Sequence, residues 1–305
     1  MSENPSYIWF DGKLTPWDEA NVHVLTHTLH YGLGVFEGIR AYKCDNGQTA
    51  VLKLDEHLKR LYASCHIADI RVPYDIKTLK KAVIEVLLQN GLDEAYIRPI
   101  IFIGHGTMGV NPKDNPIRVA IAAWPWGAYL GDDGLEKGIR TKISTYTRMN
   151  VNSFMTKAKI CGNYVNSVFA KTEAISQGFD EAIMLDTEGY VSEGSGENIF
   201  IIRDGLVKTP PLTSILEGIT RKCVIDIAAD ENIKITEQRF TRDELYTSDE
   251  IFLTGTAAEI TPIREIDGRM IGTGKPGKIT KLFQKRYFNI IKGNDSKFIS
   301  WLEYL

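Results

Sequence analysis

Alternation and helical spacing divide the chain into elements before any chemistry is considered. Near the N-terminus, "YIWF", then "GK" and a turn-rich stretch predict an early hairpin. "TAVLKL" at 49–54 reads as a strand. From Asp55, "DEHLKRLYASCHI" carries Leu58, Leu61, Tyr62 and Cys65 at helical spacing, with Asp55 in the N-cap position. A second helix is predicted over 76–89 ("IKTLKKAVIEVLLQ"), closed by Asn90-Gly91. "AYIRPIIFIG" and "IRVAIAAWPW" follow as strands. This portion reads as a sheet with two helices that ends near Trp126.

"GAYLGDDGLEKG" is rich in glycine and acid and poor in branched apolar residues, which marks a linker over 127–135. It separates a smaller N-terminal domain, 1–126, from a larger one, 136–305. Beyond it, "IRTKISTYTR" is strand-like and "NYVNSVFAKTEAISQG" is helical, closed by Gly178. "EAIMLD" and "ENIFIIRDG" read as strands around a turn, "TEGYVSEGSG". "GITRKCVIDIAADEN" opens a helix striped by Ile219, Cys223 and Ile227. "DEIFLTGTAAEITP" is a buried strand running into a small-residue loop, and "KITKLFQKRYFNIIKG" a late amphipathic helix. Hairpins outnumber βαβ units, so the fold class is α+β and not a Rossmann fold.

Composition narrows the function classes. The 305 residues are 43% apolar and 25% charged, ordinary for a soluble globular chain. A net charge of -3 gives no reason to expect nucleic acid or an anionic membrane as partner. No apolar run approaches a membrane span, and the N-terminus lacks a secretory pattern. Cys44, Cys65, Cys161 and Cys223 lie far apart with no CxxC pair, so they read as free thiols in the cytoplasm. Cys65 and Cys223 fall on apolar helix faces, where cysteine packs as a small core residue.

His23, His27 and His30 are spaced i, i+4, i+7, the spacing of three imidazoles on one helical side. No carboxylate lies within that run, and Val, Thr and Leu fill the gaps, so packed or hydrogen-bonded histidines are expected and no metal site. The glycine-rich stretches at 32–38, 104–112, 192–198 and 254–262 contain neither a dinucleotide fingerprint nor a P-loop. Two of the small-residue segments offer more than a turn. "LEGITRK" puts Gly218, Ile219 and Thr220 at a helix start, where unpaired N–H groups attract an anion. "LTGTAA" puts Gly255, Thr256 and Ala257 at a strand end, where small side chains let a ligand approach the backbone.

"MTKAKICGNYVNS" holds two lysines, Lys157 and Lys159, that share a face if the segment is extended. Most lysines keep the ammonium in water, but a desolvated one makes a Schiff-base amine. Glu193 in "VSEGSGEN" is a carboxylate between glycines, with Glu197 as the competing candidate. A desolvated amine, a phosphate-binding helix start and a carboxylate on a rigid loop are together what pyridoxal 5′-phosphate needs.

Nine segments in order carry a resemblance: "HYGLGVFEGIRAY", "HLKRL", "YIRPIIF", "GVNP", "WPWGAYL", "AKICGNYVNS", "EGSGENIF", "GITR" and "GTAAEITP". The chain resembles the branched-chain amino acid aminotransferases of the fold-type IV pyridoxal-phosphate enzymes, nearly end to end. The resemblance implies a two-domain fold with the cofactor between the domains. It implies Lys159, not Lys157, as the catalytic lysine, and Arg60, Gly218, Ile219, Thr220, Gly255 and Thr256 around the phosphate. Tyr164 is implied at the cofactor's phenolic oxygen and Glu193 at the pyridine nitrogen. On the substrate side it implies Tyr96 and the backbone of Thr256 and Ala257 for the α-carboxylate. Tyr31, Phe36, Gly38, Val110, Trp126, Tyr129 and Tyr164 would wall the side-chain pocket, and Arg98, with Tyr31 and Tyr129, would hold the distal carboxylate of glutamate.

The implied reaction is ping-pong transfer of the amino group of L-leucine, L-isoleucine or L-valine to 2-oxoglutarate. That is the last step of branched-chain amino acid synthesis and the first of degradation. The implied assembly is a homodimer or homohexamer, in which residues near Tyr31 complete a neighbour's site. Competing readings are a D-amino acid or (R)-amine transaminase, an aminodeoxychorismate lyase, a nucleotide-binding dehydrogenase and a non-catalytic binding protein. Two departures from the family pattern stand near the expected site. Glu217 in "LEGITR" must point away from a phosphate, and Cys161 in "KICGNY" puts a thiol beside the expected aldehyde.

Overall fold

A computed structural model describes residues 5–127 and 130–305. The chain gathers into two compact units. The first holds the described residues up to Trp126 together with Ala158–Asn163 and Ile290–Leu305, and the second holds those of Gly127–Lys157 and Tyr164–Asn289.

The first unit is built on an eight-stranded antiparallel sheet. Its order is Leu302–Tyr304, Thr49–Leu52, Ile39–Lys43, Ala95–Ile103, Ile117–Trp124, Tyr7–Phe10 and Lys13–Pro16, with Gly34–Phe36 also paired to Ala95–Ile103. The predicted hairpin is present, turned by Asp11 and Gly12, both at positive φ (48° and 97°), the pair a tight two-residue connection requires. Along Ala95–Ile103 the strand period sorts the faces. Ile97 and Ile101, with Val119 and Ile121, pack on the helices Leu54–Ile67 and Ile76–Gln89 through Leu58, Leu61, Leu79 and Val83. Arg98, Ile100 and Phe102 face the other way, into a groove shared with Ala120 and Ala122.

The helix predicted from Asp55 starts one residue earlier, and Asp55 is in its first turn and not its cap. Lys53 takes the N-cap position in the left-handed region, φ 53°. It is held there by its N–H bond to the Trp301 carbonyl (2.7 Å) and by its ammonium, which bonds Glu56 and lies over the Trp301 ring. The second helix agrees with the pattern, with Asp75 capping the Thr78 N–H and Gly91 at φ 60° beyond its end.

The second unit carries a nine-stranded mixed sheet. Its order is Val191–Gly194, Glu181–Leu185, Ile139–Ile143, Glu259–Ile266, Glu250–Gly255, Asn198–Arg203, Leu206–Thr209 and Ile235–Glu237, with Arg269–Met270 on the side of Glu259–Ile266. Ile139–Ile143 runs parallel to both its neighbours, and the remaining central pairs are antiparallel. Ile199, Ile201, Ile251, Leu253 and Ile263 fill one core. Ala170 and Ala174 of the helix Tyr164–Ser176 pack on Ala182 and Met184.

Two expectations are corrected here. The glycine- and acid-rich stretch contains a six-residue helix, Asp132–Lys137, bounded by Gly131 and Gly138 at φ 77° and 83°, so the linker has local order that its composition hides. "TEGYVSEGSG" is not all turn: Val191–Gly194 forms an edge strand with a register shift between Val191 and Glu193. Buried polar residues there break the apolar alternation that marks strands elsewhere. Among the described residues no helix is long and apolar enough to cross a membrane.

Candidate active site

The segment with the two lysines is not a regular strand; Thr156 and Lys157 lie in a turn, and Lys159 emerges from it. The two amines therefore have different surroundings. The Lys159 N–H donates to Ser64 Oγ at 3.0 Å, and its carbonyl accepts from the Phe36 N–H at 3.1 Å. Ile160 bridges to Val35, and the Gly162 N–H donates to the Gly32 carbonyl at 2.9 Å. A Cβ on Gly32 would lie 3.0 Å from the Gly162 Cα, so that contact needs glycine. These bonds fix the Lys159 backbone at two points, and its half-buried side chain sets the ammonium 4.8 Å from the Phe36 ring centre. Lys157 is exposed, with its ammonium 3.4 Å from the Ile215 carbonyl; local burial lowers its pKa against the pull of Glu217 and Glu193.

Still within the first unit, the helix Leu54–Ile67 presents His57, Arg60 and Ser64 on one side. Tyr96 is buried and stacks with Trp124 and Trp126 at 5.4 and 5.3 Å. A Cβ on Gly38 would fall 1.9 Å from the Tyr96 hydroxyl, so that ring position exists only because residue 38 has no side chain. Arg98 donates to the Tyr96 hydroxyl at 3.4 Å and lies over the Phe36 ring at 4.7 Å, while its Nε is buried without a hydrogen-bond partner. Phe36, Gly38, Tyr96, Arg98 and Trp126 thus form one aromatic and cationic patch. Tyr31 and Val110 are not in it; they are 44% and 89% exposed. Tyr129 lies outside the described residues.

Within the second unit, the register shift beside Glu193 re-aims its carboxylate into a buried polar cluster. Arg148 Nε donates to Oε1 at 2.6 Å; Asn198 Nδ2 and the Leu216 N–H donate to Oε2 at 3.1 and 3.2 Å. Asn198 also donates to the Leu216 carbonyl at 3.0 Å, which ties Glu193 to the segment leading into the helix Ile219–Asp230. A Cβ on Gly218 would sit 1.9 Å from Asn198 Oδ1, so glycine is required at the helix entrance. That helix start has no side-chain cap, which leaves Ile219 and Thr220 as donors at a positive dipole end. Glu217 beside it is exposed. Gly255 closes the strand Glu250–Gly255, and Thr256 and Ala257 form the turn after it. Tyr164 is half-buried at the start of the helix Tyr164–Ser176.

Glu197, the competing carboxylate, is a different chemical object. Burial, with Glu181 nearby, pushes it up to about 8, which favours its protonated form. Glu193 has an arginine against it and is the carboxylate of the two that can serve as an anion. The sequence reading missed Arg148 and Asn198 as supports for Glu193, Glu37 as the partner of Arg60, and His57 as a second partner of Glu37. Only Asn198, inside the glycine loop, carried a local signal. The others are brought in from 45, 23 and 20 residues away.

The three histidines do not share a helical face. The helix covers only His27–Tyr31; His27 and His30 meet the carbonyls of Gly109 and Val24 at 2.7 and 2.9 Å, and His23 accepts from the Leu25 N–H. Among the described residues no group of His, Cys, Asp and Glu is placed to hold a metal ion. Burial pushes the Cys161 thiol up, so little thiolate is present there at neutral pH.

Comparison with known proteins places these geometries in a context. The family model for amino-transferase class IV matches residues 34–266. A branched-chain-amino-acid aminotransferase of Pseudomonas aeruginosa is 50% identical over 301 residues, covering 99% of this chain and 98% of that one. The crystal structure of the T.th. branched-chain amino acid aminotransferase complexed with N-(5′-phosphopyridoxyl)-L-glutamate superimposes with TM-score 0.94 at 45% identity, covering 98% of each chain. The same enzyme complexed with 4-methylvaleric acid gives 0.94 at 44% identity and the same coverage.

Proposed function

The chain belongs to the class IV aminotransferase family, and on that premise we propose that it is a branched-chain amino acid transaminase dependent on pyridoxal 5′-phosphate. It moves the amino group of L-leucine, L-isoleucine or L-valine to 2-oxoglutarate, giving the branched 2-oxo acid and L-glutamate. The observation that carries this reading is the full-length 50% identity to a branched-chain enzyme. The glutamate adduct and the branched acid bound by the T.th. relative support the two substrate classes.

The residues present fit the cofactor. Lys159 Nζ, against an aromatic face and on a doubly anchored backbone, is the amine that would hold the cofactor through its aldehyde carbon. Glu193, paired with Arg148 and buried, is the anion that holds a proton on the ring nitrogen. In the second unit the uncapped Ile219–Thr220 helix start, Gly218 at its entrance and the Gly255–Thr256 strand end offer donors that would suit a phosphate, and in the first unit Arg60 offers a cation that would suit one. Tyr164 bonds the phenolic oxygen. When bound, the cofactor acts as an electron sink for the carbanion at the substrate's α-carbon.

This chain's own groups do the rest. With the cofactor bound, Lys159 Nζ would take the α-proton as general base and later give it up as general acid. The backbone N–H groups of Thr256 and Ala257 in the second unit, and the Tyr96 hydroxyl in the first, are each donors that would suit an α-carboxylate. Phe36, Gly38 and Trp126 in the first unit offer apolar contact to a branched side chain, and Tyr164 in the second unit offers the same. Arg98, stacked on Phe36, meets the distal carboxylate of glutamate without leaving a charge unpaired.

The enzyme acts as a homodimer or larger homo-oligomer. Tyr31 and Val110 are exposed on their own chain, which supports their service in a neighbour's pocket. Val165, Val168 and Phe169 are more than half exposed on one helix, an apolar surface suited to burial against another copy. Four free cysteines suit the cytoplasm.

A half-reaction panel tests the assignment. L-leucine, L-isoleucine, L-valine and L-glutamate should each bleach the yellow band of the holoenzyme, and their D-enantiomers should not. Bleaching by D-alanine or an (R)-amine alone would reassign the substrate class within the same family.

A further inference from the structure

Glu37 is fully buried, one residue from Phe36 and one from Gly38, yet it reaches the helix Leu54–Ile67. Its Oε1 accepts from Arg60 Nε at 2.6 Å and its Oε2 from Arg60 Nη2 at 2.9 Å, a two-bond fork that fixes the guanidinium plane. Oε2 also accepts from His57 Nδ1 at 2.8 Å and from the Gly38 N–H at 3.2 Å. Burial opposes ionisation of this carboxyl, but Arg60 and then His57 outweigh it and hold the group well below the usual carboxylate range. His57 is itself buried and pushed down by that burial, which keeps it a neutral donor to Glu37. The fork takes the side edge of the guanidinium, Nε and Nη2. The end edge, Nη1 and Nη2, is therefore aimed away from Glu37 in one set direction.

We propose that Glu37 is a positioning residue for cofactor binding: it orients Arg60, with His57 locking the carboxylate, so that the end edge of the guanidinium meets the phosphate group. The inference rests on the reading of Arg60 as a phosphate ligand and adds what aims it. A buried Glu–Arg pair that served only the fold would support every ligand of this unit equally. One that aims a phosphate ligand favours only ligands that carry a phosphate.

That difference is measurable without turnover. Full-length protein stripped of cofactor is titrated with pyridoxal 5′-phosphate and with pyridoxal, and the ratio of the pyridoxal Kd to the pyridoxal 5′-phosphate Kd isolates the phosphate contribution. Glu37→Gln turns one acceptor into an amide donor facing donors, so it should lower the ratio about tenfold, the scale of a charged hydrogen bond, with pyridoxal affinity within about twofold of wild type. Arg60→Ala should lower the ratio at least as much. An unchanged ratio in Arg60→Ala would remove Arg60 from the phosphate site, and with it the premise. A lowered ratio in Arg60→Ala beside an unchanged one in Glu37→Gln, or equal losses for both ligands in Glu37→Gln, would overturn the positioning role alone. Should circular dichroism show Glu37→Gln unfolded, Glu37→Asp keeps the charge but withdraws it by one methylene; the same fall in ratio is expected, and an unchanged ratio overturns the proposal.

Discussion

The carbonyl of Lys159 accepts the Phe36 N–H at 3.1 Å while its ammonium lies 4.8 Å from the Phe36 ring centre, so one residue holds both ends of the lysine. Lys157, two residues earlier, belongs to the other compact unit and has neither contact. Lys159→Ala should therefore lose at least about 10³-fold in transamination, within the range of a removed general acid–base group. Lys157→Ala should keep activity within about twofold, since a solvated lysine contributes little. Borohydride reduction and peptide mapping check the pair: the label belongs on Lys159, and a label on Lys157 would reverse the assignment.

Tyr96 occupies space that a methyl group on residue 38 would fill. Gly38→Ala should displace the ring and raise KM for L-leucine, with the cofactor absorbance unchanged. A loss of about tenfold in kcat/KM is expected from a misplaced substrate contact. Steady-state kinetics beside a cofactor spectrum separate this from a folding defect.

Gly218 and Asn198 are in the same relation at the other unit's helix entrance. Gly218→Ala pushes on Asn198 Oδ1 and strains the bridge from Glu193 Oε2 to Leu216. Overpacking of this kind costs about 1–3 kcal/mol. Urea denaturation of the apoprotein should show that loss, and Asn198→Ala should relieve the clash, making the double variant less costly than the sum of the singles.

Glu197 makes stability depend on pH with a definite sign. Unfolded, it releases its proton near the ordinary carboxylate value of 4.5; folded, burial and Glu181 keep the proton until about 8. Between those values the folded state binds more protons, so stability falls as pH rises through the window and levels above it. Glu197→Gln removes that dependence. Denaturation curves at pH 5 and pH 8.5 should show wild type losing more stability than the variant, by at least one pKa unit's worth, about 1.4 kcal/mol. Parallel losses would contradict the assignment.

Cys161 sits two residues after Lys159 in sequence, but burial pushes its thiol up, toward the protonated form. Iodoacetamide at pH 7 should alkylate it more slowly than a free cysteine in a peptide, because the thiolate is the nucleophile. Mass spectrometry of the alkylated peptide gives the rate.

Periodicity made both long helices of the first unit, its hairpin and most central strands readable, because each buries one face and so repeats every 2 or 3.6 residues. It failed at Val191–Gly194, where Ser192 and Glu193 are buried polar residues in a strand, and at Asp132–Lys137, where a short helix hides in linker composition. It also failed for the histidines, whose i, i+4, i+7 spacing requires a helix that begins only at His27.

The amino-acid sequence by itself determined the fold class and the family, and it named candidate site residues, since segments such as "AKICGNYVNS" and "SEGSGEN" are local and keep their order along the chain. Only the tertiary structure decided how those residues are held. It separated Lys159 from Lys157, set Arg148 against Glu193 but buried Glu197 near Glu181, which raises its pKa, and brought Glu37 onto Arg60. The physical reason is that burial and charge pairing depend on what the folded chain brings within a few ångströms, and those partners come from elements far apart in sequence.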